Sequence, residues 1–438
     1  MQIELKLRTL IDVFNESLAK IKFLDKKCLE IIRSDHEESL SFEQLKARAR
    51  DFAVWLIRSR DIRIADKVAI LGKNCADWDV ALWGVILAGA IPVLIDPERP
   101  VEGVINHLTH TDSRLIVMAD DYQDAESRQE LKDFTASHGM AFIEMTVYEK
   151  AGLGDNEVDE LLNKIPAGID TDDTAVVLCT SGTTGDPREV ELTHRNLIAN
   201  LQGSVQKVKI SHKDTLGHIL PPHHSFGLTV GKPINTISVK IVNEDNRELP
   251  PGEKGEIALG GPCIMKGYYK NPKATEAVIK TDEEGIRWLH TGDLGHLDED
   301  GNLYITGRKK YVIVLPGGKN VSPEHVETTL SEAKFVGEIL VVPCLRKDPA
   351  GIVEETIRAI VRPAWEAIET HANHSSDDLV DKPQVLKNLI WRNINECQQN
   401  SRQLSSFEKI SSQHLEIRIE EFQKTSTGKI MREVYMKL

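Results

Sequence analysis

Residues Lys67 to Asp96 read KVAILGKNCADWDVALWGVILAGAIPVLID, and the order of their apolar runs decides the fold. KVAIL, Lys67 to Leu71, is a short run of the kind buried inside a sheet. A helix follows over Asp77 to Ala88, and IPVLI, Ile91 to Ile95, is strand again. Working outward, Ser41 is placed to cap a helix with apolar residues at Phe42, Leu45, Phe52, Leu56 and Ile57 before the first strand. After the second, a helix around Glu102 to Thr109 leads into the strand RLIVMA, Arg114 to Ala119. Strands alternating with helices imply parallel βαβ units and a doubly wound α/β sheet. The apolar run Val80 to Ile95 is interrupted by Gly84, Gly89 and Pro92 and is shorter than the roughly 18 to 20 residues a bilayer demands, so no transmembrane segment is expected.

At about 100 to 200 residues per domain, 438 residues imply two to four domains. With 40% hydrophobic and 28% charged residues the chain is outside the collagen-like, disordered and disulfide-scaffold classes. Asp and Glu number 68 against 54 Lys and Arg, a net charge of −14, which argues against a nucleic-acid partner held by phosphate neutralisation. The six cysteines form no CxxC pair, and Met1 to Lys6 lacks the basic-then-apolar order of a secretory signal, so a reducing, cytoplasmic location is expected. No internal repeat is present.

From about Thr236 the texture changes to short alternating strands, ISVKIVN, GEIALGG and GNLYITGR, separated by turn residues. Beyond Arg308 come VIVL, EILVVP and ETIRAIVRP with a long helix over Val385 to Gln398, while the polar tract Thr370 to Lys382 reads as a surface loop. The segment most suggestive of chemistry is Thr180-Ser181-Gly182-Thr183-Thr184-Gly185-Asp186-Pro187 at the end of an apolar strand. Its glycines let backbone N–H groups approach an anion and its hydroxyls add donors, which suits a polyphosphate; a merely flexible Ser/Thr/Gly loop is the alternative. The Walker A spacing is absent, as is HExxH. The pairs His107/His110 and His371/His374 lack the neighbouring carboxylate or cysteine that a zinc site needs, so no metal site is predicted.

This loop resembles the phosphate-binding loop of the adenylate-forming superfamily, which includes acyl-CoA synthetases, luciferases and peptide-synthetase adenylation domains. Further matches follow in the family's order: PHHSFG at Pro222 to Gly227, GEIALGGPCIMKGYYKNPKAT at Gly255 to Thr275, LHTGDLGHLDEDGNLYITGRKK at Leu289 to Lys310, and KTSTGKIMR at Lys424 to Arg432. The spelling is most similar to bacterial long-chain acyl-CoA or acyl-carrier-protein synthetases. The resemblance implies an N-terminal AMP-binding body over 1–309, with a β-rich subdomain from about 231, and a small α+β C-terminal lid over 310–438. It further implies an AMP-dependent fatty-acid ligase that uses ATP and Mg²⁺ to make an acyl-adenylate and then loads the thiol of CoA or acyl carrier protein. Under that resemblance Lys429 is the catalytic lysine bridging carboxylate and ATP. Thr180, Ser181, Gly182, Thr183, Thr184 and Gly185 bind phosphates, Asp293 accepts from the ribose hydroxyls and Arg308 is a second nucleotide contact. His224 lies beside the acyl pocket and Lys310 is the hinge. Outside their motifs, Asp293 would read as a turn residue, Arg308 as a strand-end ion pair, His224 as packing, and Lys310 and Lys429 as solvated lysines. A fatty-acid substrate makes a membrane-peripheral placement an alternative to the open cytoplasm.

The pattern breaks in two places. HSFGLTV, ending at Val230, runs straight into GKPINTISVKIVNED at Gly231, where the family carries a further segment on the order of a hundred residues, a small domain's worth. That segment would hold much of the acyl pocket and a Mg²⁺-binding glutamate. Its loss uncovers helix faces and a sheet edge, through which self-association is expected. The second break is Pro187-Arg188-Glu189 where the family has Pro-Lys-Gly, which sets a carboxylate beside a phosphate loop. A catalytically impaired remnant or interaction module that retains at most nucleotide binding is therefore the rival to the ligase.

Overall fold

The computed structural model describes residues 7–436 apart from 22, 33–36, 74, 120–121, 123, 146–152, 181–187, 208–234, 317–318, 348–352, 373–375, 402–403 and 426–428. Two compact units are formed, one from residues up to 207 with 235–238 and Leu259–Leu289, the other from Val239–Ala258 and His290–Leu438.

The first unit is built on a seven-stranded sheet whose spatial order is Gly267–Tyr268, Arg188–Thr193, Thr174–Thr180, Ile91–Ile95, Lys67–Leu71, Leu115–Met118, Ala141–Glu144. The last five of these pair in parallel. The first two are added antiparallel at one edge. Successive side chains of a strand point to opposite faces, and here both faces are covered. Val68 and Ile70 join Leu94, Leu115 and Val117 against Phe52, Trp55 and Trp78, residues of the helices Phe42–Arg60 and Ala76–Leu87. Ala69 and Leu71 join Val93, Ile116 and Val177 against Val104, Leu108 and Leu131 from Val101–Thr111 and Ala125–Ser137. The expected doubly wound α/β sheet is thus present. Ser41 caps the helix Phe42–Arg60 in a capping box with Gln44. Gly84 lets that helix lie close, because a Cβ there would meet the Phe52 ring at 2.6 Å.

His194 ties two helices of this unit that are far apart in sequence. It opens the helix His194–Lys207, and its Nδ1 accepts the Leu10 N–H at 3.1 Å at the start of the helix Leu10–Lys20. Burial pushes its pKa down to about 4 against a partial upward pull from Asp173 and Asp12. The buried imidazole is therefore neutral, and its contribution is fully present above the unfolded value near 6.5 and is lost as pH falls toward 4. The loss amounts to about 3 kcal/mol at full protonation. Urea unfolding of the first unit should weaken between pH 7 and pH 4 by about that amount more in the wild type than in His194→Asn; parallel pH curves would contradict this role.

A five-stranded sheet carries Ile279–Thr281, Arg287–Leu297, Gly255–Gly260 and Ser238–Val242 in that order, with Leu303–Arg308 also paired to Arg287–Leu297. The C-terminal part of the second unit holds a three-stranded sheet: Val336–Lys347 and Val353–Pro363 are antiparallel, and Leu415–Ile417 adds in parallel. Val341 and Val361 face the helices Pro323–Leu330 and Pro383–Asn400 on one side. Leu340, Val342 and Ile360 face Phe422, Ile430 and Tyr435 on the other, so the segment carrying Lys429 lies over a sheet face. The tract Thr370 to Lys382, read as a surface loop, instead contains the end of the helix Trp365–Ala372 and a helical turn, Ser376–Val380. Leu379 is buried there and anchors the turn in a mostly polar tract. Among the described residues no helix is long and apolar enough to cross a membrane.

Candidate functional site

In the second unit the antiparallel register sets Asp293 directly opposite Arg308. Arg308 Nε donates to Asp293 Oδ1 at 2.8 Å. The Thr291-Gly292-Asp293 turn is held from below: Asp293 N–H donates to Thr291 Oγ1 at 3.0 Å, and the Thr291 hydroxyl donates to the Ile257 carbonyl at 2.9 Å. Gly292 takes φ +73°, a conformation that favours glycine. Its N–H donates to Glu256 Oε1 at 3.1 Å, while Glu256 Oε2 takes Lys309 Nζ at 3.1 Å and lies 3.4 Å from His290 Nδ1. Burial pushes the Glu256 carboxyl up, but Lys309 and His290 outweigh it and hold it below the usual carboxylate range. Glu256 is thus the charged support of the turn. The sequence reading gave it no role; the GEIALGG motif was the signal that could have found it.

Burial raises the pKa of Asp293 above its ordinary value against the pull of Arg308 and Lys429, with Glu324 adding to the rise. Lys429 is therefore within electrostatic reach of the Asp293–Arg308 pair, although it stands 136 positions from the aspartate in sequence and on a separate segment. That segment is tight. Lys429 N–H donates to Thr425 Oγ1 at 3.3 Å, Thr425 N–H to the Lys429 carbonyl at 2.8 Å, and Met431 N–H to the Gln423 carbonyl at 2.8 Å. The Lys429 side chain is exposed. Lys310 sits in the short turn Lys309–Tyr311 that follows the Arg308 strand.

In the first unit Thr180 ends the strand Thr174–Thr180, and Arg188, across from it in register, begins the return strand. Ser181, Gly182, Thr183, Thr184 and Gly185, with His224, lie outside the described residues. Glu189, which the sequence reading set beside the loop, is turned into the interior of the unit. It is only 2% exposed, and its two oxygens lie 2.7 Å from His107 Nδ1 and 2.7 Å from His110 Nδ1 on the helix Val101–Thr111. These histidines do have a carboxylate partner, supplied from about 80 residues away. Burial pushes the Glu189 carboxyl up, and the two histidines more than reverse the shift. Even so, among the described residues no group of three or more His, Cys, Asp and Glu is arranged to hold a metal. A cleft of about 440 Å³ in this unit is lined by Arg195, Lys266, Arg287 and Asp172, and none of the candidates among the described residues borders it.

The family model for AMP-binding enzymes matches residues 21–230 and 228–269. The chain belongs to the AMP-binding enzyme family. The two matched stretches meet at 228–230, where HSFGLTV runs into GKPI. Among curated relatives, a long-chain-fatty-acid–CoA ligase of Escherichia coli O6:H1 is 22% identical over 497 aligned residues, covering 81% of this chain and 85% of the relative. That span exceeds the 438 residues of this chain, so the alignment includes positions that this family member lacks. Among solved structures, ATP-bound MatB from Rhodopseudomonas palustris has a TM-score of 0.71 at 18% identity, covering 97% of this chain and 98% of that one. The o-succinylbenzoate CoA synthetase MenE from Bacillus subtilis, in complex with an acyl-adenylate, has a TM-score of 0.70 at 20% identity with coverages of 97% and 98%.

Proposed function

We propose that the protein is an AMP-forming acyl ligase that activates a long-chain fatty acid with Mg-ATP to the acyl-adenylate and passes the acyl group to the thiol of CoA or of a carrier protein. The observation that carries this reading is the Asp293–Arg308 pair with Lys429 inside its field. In this reading Asp293 accepts from the ribose hydroxyls. Arg308 fixes the rotamer of that carboxylate and neutralises it beside a polyanion. Lys429 supplies a mobile cation where negative charge gathers on the α-phosphate and the departing pyrophosphate. Thr180 to Gly185 take the phosphates, His224 lies beside the acyl chain, and Lys310 is the hinge. Mg²⁺ is expected to arrive on the ATP phosphates with much of its water shell, since Mg²⁺ is commonly held by substrate phosphates and few carboxylates. The long-chain preference is supported by the Escherichia coli relative.

The test is carboxylate-dependent ATP/pyrophosphate exchange over short, medium and long fatty acids with no thiol present. Exchange that depends on a fatty acid supports the reading, and the preferred acid gives the substrate class; folded protein that binds ATP without exchange would sink it. The second reading, a remnant limited to nucleotide binding, is favoured by the family match dividing at 228–230, where the resemblance places acyl-pocket residues and a Mg²⁺-binding glutamate. Light scattering on the same sample reads the self-association that uncovered helix faces would drive.

A further inference from the structure

We propose that Glu433 is a positioning residue that latches the 309–311 turn to the segment carrying Lys429, so that hinge and lysine enter the adenylating arrangement together. This rests on the ligase reading for its consequence in the reaction, but the latch itself is a feature of the geometry. The four consecutive residues Arg308, Lys309, Lys310 and Tyr311 divide their partners in two. Arg308 holds Asp293 at 2.8 Å and Lys309 holds Glu256 at 3.1 Å, both of which belong to the five-stranded sheet. Lys310 Nζ and Tyr311 OH instead donate to the same oxygen, Glu433 Oε1, at 2.8 and 2.7 Å. The change of allegiance falls between Lys309 and Lys310.

Glu433 cannot drift away from Lys429 independently. It follows Arg432, whose buried guanidinium donates to Glu327 at 2.7 Å and to the Val341 carbonyl at 2.6 Å and lies 5.1 Å from the Tyr311 ring centroid. Lys424 and Ile430 bridge across the base of the Lys429 loop. A backbone rotation at 310 would keep Tyr311 on Glu433, because both travel with the C-terminal sheet, and would pull Lys310 away. The Lys310–Glu433 pair is therefore specific to one arrangement. Both side chains are well exposed, at 47% and 37%, so the pair is weak enough to break in every cycle. Burial pushes the Glu433 carboxyl up, and Lys310 with Tyr311 more than offset this, keeping it ionised at neutral pH.

The test uses the full chain with E433Q, K310Q and the double variant. Native-state trypsin cleavage at the 309–310 bonds, followed by mass spectrometry, should be 3- to 10-fold faster in E433Q than in the wild type. Fatty-acid-dependent ATP/pyrophosphate exchange should fall 3- to 10-fold in E433Q and K310Q and no further in the double variant, while in E433Q transfer from supplied acyl-adenylate to thiol holds at the wild-type rate. Unchanged cleavage in E433Q would overturn the latch, as would an equal fall of both half-reactions with a lower Tm, which marks a merely structural residue. A wild type without exchange would defeat the ligase reading alone; the cleavage comparison would still decide the latch.

Discussion

Lys429→Ala is expected to lower fatty-acid-dependent ATP/pyrophosphate exchange by at least about 10²-fold, the scale on which a single preorganised charge-stabilising group acts. The expected loss is confined to chemistry. The bonds that shape the loop, Lys429 N–H to Thr425 Oγ1 and Thr425 N–H to the Lys429 carbonyl, are made by backbone atoms of residue 429 and survive truncation. The side chain is exposed, so its removal opens no cavity and the Tm should stay within about 1 °C of wild type, the range of an ordinary surface substitution. ATP affinity should change by less than tenfold, because the Asp293–Arg308 pair and the Gly292 N–H bond to Glu256 are kept. Isothermal calorimetry with ATP beside the exchange assay separates the outcomes. Exchange at the wild-type rate in Lys429→Ala would remove this lysine from the reaction. Lost ATP binding would instead make it a binding residue.

The second large effect is expected from Arg432→Ala, in the motif that carries Lys429 but at a residue whose work is structural. Arg432 is 8% exposed, and its guanidinium is the counter-charge of Glu327, at 2.7 Å. Glu327 also accepts the Val341 N–H, and burial raises its pKa although Arg432 pulls the other way. Truncating Arg432 leaves a carboxylate enclosed without its cation, a change that typically costs about 3 to 5 kcal/mol. The sign with pH follows. Without Arg432 the folded-state pKa of Glu327 rises further, so the carboxyl is neutral in the fold at lower pH and needs no partner, while at higher pH it must ionise unpaired or the fold opens. The cost should therefore be smaller at pH 5 than at pH 8. Denaturant unfolding of the second unit at the two pH values reads this directly, and Glu327→Gln in the Arg432→Ala background should recover part of the loss. A pH-independent loss that Glu327→Gln fails to relieve would mean that Arg432 acts through Tyr311 and the Val341 carbonyl instead.

Much of the architecture was legible from local pattern. The runs KVAIL, IPVLI and RLIVMA lack the alternation of a half-exposed strand because the sheet is covered on both faces, and Ser41 announced a helix start that is present. The motifs also singled out Asp293 and Arg308, which the structure sets opposite one another on paired strands. What no local pattern carried was the direction of individual side chains over long separations. The sequence reading gave Glu189 no partner, yet its strand turns it inward onto two histidines some 80 positions earlier. Glu256 read as one more polar residue of a strand, and Glu433 had no motif role, yet Glu256 takes the Gly292 N–H and Lys309 while Glu433 takes Lys310 and Tyr311.

The division has a physical basis. Apolar periodicity, caps and turns are set by residues within one or two turns of chain, so the sequence by itself determined the elements, their order and the family's chemical groups. A hydrogen bond across 123 positions, as between Lys310 and Glu433, depends on strand register and on which face of a sheet a segment covers. Those are decided by the packing of whole elements, and only the tertiary structure contains them.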